Sequence, residues 1–82
     1  MGARTLGEDR LSALIKRSFS LAGHRTSVAL EAEFWAALAE IAAARGRPVS
    51  ALVAETDAAR APGRPLASAL RILALREKPQ TN

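Results

Sequence analysis

Few side chains in this sequence are spaced for chemistry on a small molecule. Glu31 and Glu33, or Glu55 and Asp57, stand two apart. On a helix such pairs point to different faces and do not converge on a substrate. His24 is the single histidine and cysteine is absent. A histidine–thiol pair is therefore excluded, and nothing around His24 composes a serine triad. Metal-ligand spacings and glycine-rich phosphate loops are missing as well. No catalytic residue, metal or cofactor is expected, and the chain is not read as an enzyme. More promising is "RTSVAL", Arg25 to Leu30, which alternates polar and apolar residues. On a strand, Thr26, Val28 and Leu30 face one way and Arg25, Ser27 and Ala29 the other. A two-stranded ribbon fits the DNA major groove. There Arg25 can donate to a guanine edge, Ser27 can donate or accept, and Ala29 can touch a thymine methyl.

The elements that must position such a strand can be read along the chain. With 82 residues there is one domain at most, and its core is small. Disulfides and a metal being excluded, a partner subunit is the expected staple. Residues 1–15 form an arm, flexible or partly helical. "RLSALIKR", Arg10 to Arg17, has Leu11, Leu14 and Ile15 at helical spacing and admits one short helix. In "SFSLAGHRTSVAL" the alternation changes phase at Ala22-Gly23. A period of two changes phase only through an added or missing residue. The change is read as a bulge or break rather than a turn, with residues 25–30 the firm strand. A single strand needs a partner, and a second copy supplies one about a twofold axis.

A first helix is predicted over 32–45. Phe34, Trp35, Leu38, Ile41 and Ala42 form its apolar stripe, and Gly46 is its left-handed stop. Pro48 suits the first turn of a second helix running to about Arg60. Val49, Leu52 and Val53 lie on its inner face. "APGRP" at 61–65 breaks the chain. A third helix over about 66–76 carries Leu66, Leu70 and Leu73 inward and closes the core, and 77–82 is a loose tail. Trp35, on an amphipathic helix beside Phe34, is expected in the core or a dimer interface.

Charge is unevenly distributed. There are 12 basic and 8 acidic residues, a net +4. Residues 1–30 carry +3, 31–60 carry −2 and 61–82 carry +3. A basic N-terminal third suits a polyanion. No apolar run approaches a membrane span and the first ten residues lack an apolar signal region, so a cytoplasmic, nucleoid-associated protein is expected.

Strand, helix, glycine turn and helix in about 35 residues resemble the ribbon-helix-helix family of DNA-binding proteins. The resemblance is strongest to a bacterial subgroup of short domains carrying "KRS…GHRTSV.LE.EFW..L.EIA..RG…SALV.E.D" and a last helix with "SALR". Here those are Lys16-Arg17-Ser18, Gly23 to Val28, Phe34-Trp35, Ser50 to Val53, and Ser68 to Arg71. The domain is placed at 16–76. The resemblance implies a mostly α fold with one strand, an intertwined homodimer whose two strands make an intersubunit antiparallel ribbon, and a third helix added. It implies base reading by Arg25, Ser27 and Ala29. It also implies phosphate contact at Val49 and Ser50, with Arg47, Lys16, Arg17 and His24 expected to assist. Val28, Leu30, Phe34, Trp35, Leu38, Ile41, Leu52 and Val53 would then form the dimer core. The expected activity is transcriptional regulation, as a repressor, on double-stranded DNA. The alternative is an antitoxin or adaptor that binds a protein through its C-terminal helix. Two positions depart from the family pattern: Pro48 replaces a frequent serine or threonine cap, and Ala29 a usual polar or basic reading residue.

Overall fold

The computed structural model describes residues 13–77. Two strands, β1 (Ile15–Leu21) and β2 (His24–Leu30), are followed by α1 (Ala32–Ala44), α2 (Val49–Ala59) and α3 (Leu66–Glu77). The strands pair antiparallel, from Ile15 opposite Leu30 to Leu21 opposite His24. Residues 1–12 of the expected arm and 78–82 of the tail lie outside the described residues.

The segment ending in "IKR" is therefore strand, not helix, and the change of phase at Ala22-Gly23 is a turn, not a bulge. Ala22 and Gly23 both have positive φ, 51° and 85°, as the tight hairpin turns of mirror-image type require. A two-residue loop opposes odd-numbered to even-numbered positions. The inward row thus runs 15, 17, 19, 21 on β1 and 24, 26, 28, 30 on β2. The two alternations that seemed out of step are one face of one hairpin. The partner expected from a second copy is, within this chain, β1. The ribbon is intrachain, and the fold has two strands rather than one.

Three helices pack on the inner face of this hairpin. Leu30, Leu38, Val53 and Leu70, one each from β2, α1, α2 and α3, are fully buried. Val28, Trp35, Ile41 and Leu52 are buried around them, and Phe19, Phe34, Val49, Leu66 and Leu73 pack against this centre half-exposed. The residues assigned to a core shared between copies are thus assembled by a single chain. Burying such side chains contributes roughly 1.5–3 kcal/mol each. Their convergence from every element explains how a short chain without disulfides closes a core.

Local signals set the helix ends. Gly46, at φ 67°, follows α1. The Gly46 amide donates to the Ala43 carbonyl at 3.0 Å and the Arg47 amide to that of Ala42 at 2.9 Å. This nested pair is the Schellman stop that a left-handed glycine permits. Pro48 is the residue before α2, one position earlier than its expected place in the first turn. Its carbonyl accepts from the amides of Ala51 and Leu52, and its side chain makes no cap. Gly63, at φ 84°, turns the chain back so that α3 begins after Pro65.

Candidate nucleic-acid interface

The outward row of β2 is Arg25, Ser27 and Ala29. Arg25 and Ser27 are exposed and Ala29 is half-buried. The register sets Ser20 opposite Arg25, Ser18 opposite Ser27 and Lys16 opposite Ala29. Directly opposed residues share a face of the sheet, so all six belong to the face turned away from the helices. Ser18 Oγ and Ser27 Oγ lie 3.3 Å apart, close enough to share a hydrogen bond. The outer surface of the hairpin is therefore a continuous polar strip with one cation on each strand, set diagonally.

Of the other residues tied to DNA from the sequence, Arg17 lies opposite Val28, on the inner row. Its guanidinium sits 4.7 Å from the centre of the Trp35 ring, a cation–π contact that also covers the edge of the core. His24 is exposed at the hairpin tip, opposite Leu21. Arg47 pairs with Glu55, which also lies 3.9 Å from Arg45. Val49 and Ser50 open α2, half-buried and exposed respectively. The structure thus places Lys16 beside the three predicted readers and puts Arg17 and His24 on the opposite row. Ser18 and Ser20 escaped the sequence reading. Their signal was the phase change itself, because a turn there makes the preceding alternation a second strand.

Two contacts set the hairpin's position. Trp35 Nε1 donates to the Ile15 carbonyl at 2.8 Å, and the Phe19 and Trp35 rings lie 5.9 Å apart. Across the chain, Arg71 on α3 donates to Glu31, just ahead of α1, through Nε at 3.1 Å and Nη2 at 3.0 Å. The same guanidinium lies 5.7 Å from the Phe34 ring. Hydrogen bonding from its own backbone amide, and then from Arg71, holds the Glu31 carboxyl below its usual range. Cations elsewhere are also engaged: Arg45 with Glu77, and Arg60 with Asp57. Lys16 and Arg25 have no ion-pair partner among the described residues.

Among the described residues no cluster of His, Cys, Asp and Glu could hold a metal, and no helix is long and apolar enough to cross a membrane.

A ribbon whose outer face is polar and basic, mounted on helix–glycine turn–helix, is the frame of a DNA-binding regulator. Residues 14–77 match the family model described as the ribbon-helix-helix domain. The chain belongs to that family, whose members are DNA-binding regulators. Among solved structures it is similar to an uncharacterized protein from Bordetella pertussis Tohama I, with 35% identity and a TM-score of 0.68. That alignment covers 83% of this chain and 58% of the other, so this chain spans little more than half that protein's length. No curated protein matches it.

Proposed function

We propose that this protein is a sequence-specific, DNA-binding transcriptional repressor that lays the outer face of its hairpin in the major groove. Arg25 and Ser27 contact base edges, and Ala29 offers a methyl contact to thymine. The carrying observation is the unpaired, outward Arg25 on a ribbon whose other face is committed to the core. The amides of Val49 and Ser50 at the start of α2, where helices favour anions, supply phosphate contacts that position the domain. Lys16 and Arg47 are basic groups available to the backbone as well. The protein works as a cytoplasmic, nucleoid-associated homodimer. Leu14 and Ile15, 51% and 42% exposed, are apolar surface that a second copy would cover.

Selection of bound sequences from random DNA, with salt titration, tests this reading on wild type and Arg25→Ala. The expected result is salt-sensitive binding with a defined motif that Arg25→Ala degrades. Absence of binding at low salt, including to the protein's own promoter region, defeats it. A second reading, an adaptor or antitoxin, draws on Leu75 of α3, 73% exposed. Co-purification of a toxin or another defined protein partner through α3 would favour it.

A further inference from the structure

The sequence reading left base recognition resting on one strand per chain, with alanine at one of three positions. The hairpin changes that. Lys16, Ser18 and Ser20 of β1 stand on the same face as Ala29, Ser27 and Arg25 of β2, each directly opposite its counterpart. All three are exposed. The 3.3 Å approach of the Ser18 and Ser27 hydroxyls shows that the two rows abut. Each cation faces a smaller residue, Lys16 facing Ala29 and Arg25 facing Ser20, so neither is crowded by its cross-strand neighbour. Neither has a carboxylate among the described residues to hold it back.

Width decides which strands can enter the groove. The major groove is ~12 Å wide and admits a two-stranded ribbon. If β2 also paired with the β2 of a second copy, β1 would flank it on each side and the sheet would have four strands. Three gaps of ~4.8 Å put the outer strands ~14 Å apart before their own thickness is counted. Such a sheet does not enter. The two-stranded ribbon already present in one chain does.

We infer that the DNA-reading ribbon is built within a single chain, with the Lys16–Ser18–Ser20 row of β1 as a second set of specificity determinants beside Arg25, Ser27 and Ala29. The inference rests on the major-groove reading above and names the residues that complete it. Lys16 donates to the acceptor edge of guanine, and Ser18 and Ser20 donate to or accept from either base pair. Lys16, at the position across from Ala29, restores a polar reader where β2 lacks one. Two copies in a homodimer would present two such ribbons, one to each half-site.

The test selects sequences from random DNA with wild type, Lys16→Ala, Ser18→Ala/Ser20→Ala and Arg25→Ala, each across a salt titration. All these positions are exposed, and thermal melts check that each variant is folded. In Lys16→Ala the preference at one or two base positions, distinct from those lost in Arg25→Ala, falls about tenfold. The remaining motif persists. The double serine variant loosens neighbouring positions. A Lys16→Ala variant that binds all sequences uniformly more weakly, with a salt slope lower by about one and an unchanged motif, makes Lys16 a phosphate contact only. That outcome, with no change from the serine variant, overturns the inference and leaves the major-groove reading standing on Arg25. Failure of the wild type to bind, or to prefer any sequence, instead removes the major-groove reading itself. The cysteine-free chain permits an independent check with S18C/S27C. A disulfide within one chain, running at monomer size without reductant, is expected, and a crosslinked dimer would overturn the single-chain ribbon.

Discussion

The indole of Trp35 donates to the backbone carbonyl of Ile15 at 2.8 Å, joining the first turn of α1 to the first residue of β1. An isolated two-stranded hairpin is marginal in water. Here β1 has no further strand beside it, so this hydrogen bond and the Phe19–Trp35 contact are what hold its far end against the helices. Trp35→Ala is expected to lower unfolding free energy by about 3–5 kcal/mol. Trp35→Phe, which keeps most of the packing and loses the donor, should cost about 1 kcal/mol. Urea unfolding measures both, and an unchanged melting temperature in Trp35→Ala would contradict the anchoring role.

The hairpin tip makes a separate prediction. Gly23 has φ 85° with nothing within 4 Å of where a Cβ would stand. Gly23→Ala therefore costs only the left-handed backbone strain, about 1 kcal/mol. Ala22 already bears that strain at φ 51°. Ala22→Asn creates the Asn-Gly pair favoured in such turns and should stabilise the protein by about 0.5–1 kcal/mol. Thermal melts at neutral pH distinguish the signs.

Acid should loosen the clasp between α1 and α3. In the folded chain Glu31 titrates below its usual range, because its own amide and then Arg71 stabilise the carboxylate. The stabilisation is fully present above the ordinary carboxylate range and is lost as pH falls through the folded value. Glu31→Gln should flatten the acid limb of the stability–pH profile and leave the alkaline limb unchanged. An acid limb of equal slope in wild type and variant would assign the acid sensitivity to other carboxylates.

Leu70 tests whether α3 is integral to the domain. It is fully buried against residues from the hairpin and the first two helices. Leu70→Ala should cost about 2–5 kcal/mol in urea unfolding. Leu75→Ala, on the exposed side of the same helix, should change stability by less than about 0.5 kcal/mol.

The helices were legible from sequence because each carries its own punctuation. Gly46, Pro48 and the 61–65 segment mark ends that fall within a residue or two of those observed. The stripe Trp35, Leu38, Ile41 marks the buried face of α1. β1 was not legible in the same way. Its inner row contains Arg17, whose charge lies over Trp35 rather than in the core, so only Phe19 and Leu21 read as buried after an apolar but exposed Ile15. Leu11, Leu14 and Ile15 mimic a helical period just ahead of it. The turn is Ala-Gly, without the asparagine or aspartate that announces such hairpins. The readers on β2 could be named from alternation alone. Those on β1 needed the register, which one ambiguous turn concealed.

The two rows of the ribbon are written in separate codons. In a ribbon made from the same strand of two copies, every substitution alters both sides at once, and twofold symmetry of the protein is mirrored in its DNA site. In this hairpin, Lys16-Ser18-Ser20 and Arg25-Ser27-Ala29 are unlike and can mutate one at a time. Each side of the recognised step can drift alone, and the element under one ribbon has no reason to be a palindrome.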